Sequence, residues 1–215
     1  MPWLALALCI LWFASLFVFR TLAQLKNTGS TGIKGFHGAV GSLPWLAGAF
    51  YSVGLVLAPL APIATLNGWT GGALVVTNDV IHALGAIFAV AGIAGALLAQ
   101  LAMGDSWRVG VDESETTELV TTGLFAWARN PIFSFVLLSL AGLLLLVPNP
   151  IALVCGVLIV AGTELQVRAV EEPYLERTHG EDYVSYAARV GRFIPGVGRF
   201  AQTRMSSQSR KPLHD

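Results

Sequence analysis

Charge is what this sequence has least of. Only 12% of its 215 residues are Asp, Glu, Lys or Arg, and 13 basic residues balance 13 acidic ones to a formal charge of zero. So little charge does not suit the surface of a soluble domain, and without a net positive field nothing points to a nucleic-acid partner. Cysteine is scarce as well. Cys9 and Cys155 both lie inside apolar runs, at neither metal-ligand nor disulfide spacing, so they read as small packing residues and no metal is expected. What abounds is apolar: 54% of the chain is hydrophobic and the mean hydropathy is +0.66, an integral-membrane composition.

The apolar residues form five runs, at 3–19, 43–66, 80–103, 132–147 and 151 to about 170. Three of them reach the roughly 20 residues that cross a bilayer core. Backbone groups in lipid must be satisfied within the segment, and the ten-residue alternation of a membrane barrel is absent, so helices are expected. The predicted fold is all-α: a polytopic bundle of about five transmembrane helices, the last two folded by the charge-free linker Pro148-Asn149-Pro150 into a carboxyl-terminal helical hairpin. Small residues at spacings of three and four in the third run (Gly85, Ala89, Gly92, Gly95, Ala96, Ala99) let a neighbouring backbone approach. The first run lacks a positive leader region and is followed by Arg20, so it reads as a retained helix.

Lys and Arg alternate between loops. Arg20, Lys26 and Lys34 mark the first loop, none mark 67–79, Arg108 and Arg129 mark the third, none mark the hairpin, and many follow it. That pattern predicts a multi-pass protein, in the plasma membrane or a bacterial inner membrane, with its amino end outside and its carboxyl end in the cytoplasm. The expected division is 1–103 as acceptor-side helices, 104–200 as a carboxyl-terminal core, and 201–215 as a polar, disordered tail.

The stretches 104–131 and 164–199 fall on the same, cytoplasmic side, where a cofactor pocket is expected. Trp107 reads as an interfacial anchor. Gly123 permits a turn, and Pro131 suits a helix first turn with Arg129 and Asn130 at its entrance. With α-helical spacing, Arg168 neighbours Glu164, Glu171 and Glu172, either as a functional cluster or as a self-satisfied ion-pair network. Tyr183, Tyr186, Arg189, Arg192 and Phe193 read as a basic amphipathic helix on anionic lipid, and His37, His82 and His179 as structural residues.

Four elements carry a family resemblance: LVTTGLFAWARNPIF at 119–133, NPI at 149–151, the pair Glu171-Glu172, and HGEDYVSYAARVGRFIP at 179–195. Their order and spacing, from Trp107 onward, resemble the isoprenylcysteine carboxyl methyltransferases and the phospholipid methyltransferase group. The resemblance implies an S-adenosylmethionine-dependent membrane methyltransferase. That family's motif is Arg-His-Pro with a Tyr two positions on, so Arg129, Asn130, Pro131 and Phe133 are implicated in cofactor binding, with Thr122, Gly123, Leu124 and Phe125 as neighbouring wall. Glu171 and Glu172 correspond to paired glutamates that would accept hydrogen bonds from the cofactor's ribose or amino group. Arg168, Arg129 and Glu172 are the expected catalytic residues, either arginine orienting an acceptor carboxylate through two hydrogen bonds.

The chain departs from the family pattern at Asn130, where His is common, at Phe133, where Tyr is common, and at Pro173 directly after the glutamates. Asn bonds but does not titrate near neutrality, which suits a binding role, because methylating an ionised carboxylate or thiolate needs no base. The expected acceptor is a lipophilic small molecule, a lipid or an isoprenoid, with carboxylate O-methylation favoured. Two alternatives stay open: an NADPH-dependent reductase similar to the membrane sterol reductases, which usually carry Asn-Tyr after the motif proline where this chain has Ile132 and Phe133, and a non-enzymatic lipid-binding membrane protein.

Overall fold

Each apolar run becomes a helix, and three of the five starts are marked by a side chain that satisfies a first-turn amide. Ser42 Oγ accepts from Trp45 N at 3.4 Å, Asn78 Oδ1 from Ile81 N at 2.9 Å and Asn149 Oδ1 from Ala152 N at 2.8 Å. Pro44, Pro131 and Pro150 sit in first turns, where the missing N–H costs nothing. The computed structural model describes residues 1–33, 38–71, 73–75, 77–110 and 118–201. The helices are α1 (Pro2–Thr28), α2 (Leu43–Leu66), α3 (Asp79–Ala102), α4 (Pro131–Leu146) and α5 (Pro150–Arg189). All but the shorter α4 are long and apolar enough to span a bilayer. The protein is thus an all-α membrane bundle, and among the described residues the only extended pairings are isolated bridges, Ile33 to Val109 and Ala128 to Gly191. His37 and nearly all of the expected disordered tail lie outside the described residues.

The helices pair by close backbone contact. A Cβ added at Gly92 of α3 would lie 2.5 Å from Ser139 N and 2.6 Å from Phe135 O of α4, and one at Gly142 would lie 2.4 Å from Ala89 N. Gly162 of α5 likewise faces Ala47 and Tyr51 of α2. Small residues thus serve here as sites of approach in a medium that gives helices no hydrophobic reason to associate. The hairpin expected from 148–150 exists as a connection, but α4 leans chiefly on α3 and α5 chiefly on α2. Asn149 secures the turn by donating to Ala61 O and Thr65 Oγ1, both at 2.8 Å. Both cysteines are buried packing residues. Cys9 Sγ reaches Ala58 O, the carbonyl that Pro62 leaves without its helical partner, and Cys155 Sγ reaches Gly54 O.

Two helices carry π turns, Ala14–Phe19 in α1 and Gln166–Glu171 in α5. The second corrects the charge cluster expected around Arg168. One extra residue in the turn breaks the α-helical spacing, so Arg168, its side chain 59% exposed, pairs with Glu164, while Glu171 and Glu172 take other directions. At the polar end of the bundle Arg20 Nη2 donates to Gly104 O at 2.6 Å and Gln24 Nε2 to Asp105 O at 2.9 Å. Trp107, read as a lipid-facing anchor, is instead buried beneath the Arg20 guanidinium, which lies 4.6 Å from its ring.

Candidate functional site

The two polar stretches do meet. Arg129 N donates to Gly191 O and Asn130 N to Arg192 O, at 2.8 and 3.0 Å, which lays the entrance of α4 against the segment after α5. Beside this seam a cavity of about 250 Å³ opens between the helices. Its apolar wall includes Leu16 and Phe17 of α1, Ala47 and Tyr51 of α2, and Phe133 and Val136 of α4. Ser106, Arg108, Glu118, Asn130, Gln166 and Glu171 line its polar part. Both π turns contribute to the wall, through Leu16 and Phe17 and through Gln166 and Glu171.

Arg108 and Arg129 are the cations of this wall. The Arg108 guanidinium lies 5.0 Å from the Tyr174 ring and acts electrostatically on Glu171, and its Nη1 is buried with no hydrogen-bond partner among the described residues. Glu171 accepts only a long bond, 3.4 Å, from Gln166 Nε2. A buried donor without an acceptor costs about 1–3 kcal/mol.

Arg129 and Glu172 are bound to each other and to the chain around them, with Arg129 Nε left unpartnered among the described residues. Arg129 Nη1 donates to Ala187 O and Val190 O, while Nη2 donates to Gly198 O at 3.1 Å and to Glu172 Oε1 at 2.6 Å. Arg192 grips the same carboxylate in fork fashion, Nε to Oε1 and Nη2 to Oε2, both at 2.8 Å. Burial alone would raise the Glu172 pKa, but the bonds from Arg192 and Arg129 prevail and hold it below the usual carboxylate range. The bond to Glu172 in turn holds Arg192 above its ordinary value.

Of the residues expected at the site, Phe125, Arg129, Asn130, Pro131, Phe133 and Glu171 line the cavity. Asn130 Nδ2 donates to Arg192 O at 3.3 Å, and Phe133 meets Tyr51 edge to face, ring centroids 6.3 Å apart. Thr122, Gly123 and Leu124 form the 3₁₀ turn behind Phe125, opened by Gly123 at φ +59°, and stand outside the lining, as do Glu172 and Arg168. Tyr186, expected on a lipid-facing helix, is buried and donates to Phe125 O at 2.6 Å. Arg108, Tyr51 and Gln166 carry no motif, and only their shared cavity singles them out. Among the described residues no group of three His, Cys, Asp or Glu side chains could hold a metal.

A family model described as phospholipid methyltransferase matches residues 80–182, from the start of α3 to the middle of the extramembrane part of α5. Over this segment, a little under half of its length, the chain is similar to the phospholipid methyltransferase family. It is also 30% identical, over 89 residues, to protein-S-isoprenylcysteine O-methyltransferase B of Arabidopsis thaliana, covering 41% of this chain and 45% of that one. The chain therefore aligns with less than half of this relative's length. The family segment supplies Arg108, Asn130, Gln166 and Glu171, the polar part of the cavity, whereas the apolar wall from α1 and α2 lies outside it.

Proposed function

We propose that this protein is an integral-membrane, S-adenosylmethionine-dependent methyltransferase acting on a lipophilic acceptor. The observation that carries the reading is the pair Arg108 and Glu171, electrostatically coupled within the matched segment and both lining a cavity with apolar walls, with Arg108 Nη1 unpartnered among the described residues. A buried guanidinium and a nearby carboxylate complement the carboxylate and ammonium of an amino-acid group, so the residues present fit the methionine part of this cofactor. Bound there, the cofactor supplies an electrophilic methyl on a sulfonium.

The chain's own contribution is position and dryness. Arg108 and Glu171 fix the amino-acid group, and Phe125, Pro131 and Phe133 close the wall. Arg129, Glu172 and Arg192 act as positioning residues, tying the entrance of α4 to the segment after α5 so that Asn130 and Phe133 face the cavity. In this reading Thr122, Gly123 and Leu124 support Phe125 from behind, and Arg168 takes no part. An ionised carboxylate on the acceptor is the favoured nucleophile, because it needs no base and the described cavity wall contains no histidine. The polar end faces the cytoplasm, where the soluble cofactor enters from water while the acceptor enters from the bilayer.

Calorimetric titration of the reconstituted protein with S-adenosylhomocysteine, with NADPH in parallel, tests this. Saturable binding of the first alone is expected. Arg108→Leu and Glu171→Gln should each weaken it about tenfold or more, as removal of a charge-assisted bond implies. Binding of NADPH alone would move the assignment to a reductase.

A further inference from the structure

Two residues that line the cavity carry a second set of unmet polar atoms. Trp12 of α1 and Gln100 of α3 both line it, and they are 8% and 6% exposed. Trp12 Nε1, a donor, and Gln100 Oε1, an acceptor, are buried without hydrogen-bond partners. The amide orientation of Gln100 is fixed by its other end, since Nε2 donates to Leu16 O at 3.3 Å within the π turn of α1. The indole rests against Phe13 and Phe17, which offer no oxygen.

These groups lie within the apolar span. Trp12 precedes Arg20, which is tied to the polar end, by eight residues, roughly 12 Å of helix at 1.5 Å per residue. Trp12 also lines a smaller apolar void of about 30 Å³ whose other walls include Leu8, Leu55, Ile93 and Leu143. In such surroundings neither lipid nor neighbouring side chains can satisfy a polar atom, and both would pay a desolvation cost if left bare. One small group answers a donor and an acceptor at once: a hydroxyl, whose oxygen accepts from Trp12 Nε1 while its hydrogen is donated to Gln100 Oε1.

We propose that the cavity selects an amphiphile carrying a neutral hydroxyl on its apolar part, held between Trp12 and Gln100, with the hydrocarbon beyond it passing toward the small apolar void. This deepens the acceptor assignment made above and rests on it for the hydroxyl-bearing molecule being the methyl acceptor. The pair thereby becomes a specificity determinant separate from the charged end of the cavity.

The test uses the full chain in lipid nanodiscs, with thermal-shift titrations against 1-dodecanol, dodecyl methyl ether and dodecane at equal mole fractions in the bilayer. The ether keeps an acceptor and lacks the donor. The wild type should respond to the alcohol at about tenfold lower mole fraction than to the alkane, with the ether between them. Gln100→Leu should reduce the alcohol response to that of the ether, and Trp12→Phe should lower both polar responses, with dodecane unchanged in each. Helical content by circular dichroism confirms folding, and Gln100→Met replaces Gln100→Leu if the latter misfolds. Equal responses to alcohol and alkane in the wild type would overturn the proposal, as would an alcohol preference that survives in both variants. S-adenosylhomocysteine binding in the same preparation separates the two readings. Retained binding without alcohol preference removes the hydroxyl site alone, and alcohol preference without that binding removes the methyltransferase assignment alone.

Discussion

Glu172 accepts three hydrogen bonds from two arginines, and its removal leaves Arg129 buried without its counter-charge. Breaking a buried pair in this way costs about 3–5 kcal/mol. Glu172→Ala should therefore lower the melting temperature strongly, and Arg108→Leu, which gives up the contact with the Tyr174 ring and the attraction to Glu171, should lower it less. Acid should act in the same direction. The folded carboxyl titrates below its unfolded value, so its stabilisation is present above about pH 4 and is lost as pH falls through the lower folded value. Melting curves recorded from neutral to acid pH should show this fall in the wild type and a smaller one in Glu172→Gln. At this scale the sequence was half legible. Adjacent glutamates look equivalent in a string, yet about 100° of helix rotation sends Glu171 to the cavity and Glu172 to the arginines. Arg108 looks like any cation at the end of a membrane helix, and only its place in the cavity wall, electrostatically coupled to Glu171, sets it apart.

At the scale of elements, the helices and their starts follow from residues visible in the chain: apolar runs long enough to cross a bilayer, Pro in first turns, and Asn or Ser before them. The π turns do not, because a single extra residue leaves composition and hydropathy unchanged while rotating everything after it. Deleting Ala169 from the turn in α5 should restore α-helical spacing and swing Glu171 off the cavity. Circular dichroism should then remain helical while S-adenosylhomocysteine binding disappears, and retained binding would show that the turn does not position Glu171. The α3–α4 contact offers a second test. Gly92→Ala places a methyl against backbone atoms of α4 rather than against a movable side chain, so a loss of about 1–3 kcal/mol is expected by denaturant unfolding in mixed micelles.

The whole molecule joins what the sequence keeps apart. A short linker between the last two runs suggested a self-contained hairpin, but shape complementarity at glycines sends α4 to α3 and α5 to α2, and such pairing leaves no mark in hydropathy. Polar stretches collecting at one end were legible from the loops, and the bonds between 129–130 and 191–192 bear that out. The side of the membrane on which this end lies is testable with reporter fusions: green fluorescent protein after residue 201 should fluoresce, and alkaline phosphatase inserted at residue 70 should be active, if the polar end is cytoplasmic. The cavity walls divide unevenly along the chain, with the charged residues drawn from the matched segment and the apolar lining shared between that segment and α1 and α2 before it. Such a seam lets the two parts be inherited separately. A recombination joint in the 67–78 connection would exchange the part of the cavity wall that α1 and α2 supply while leaving the charged residues intact, a route by which the cavity's shape changes without redesign of its charged end.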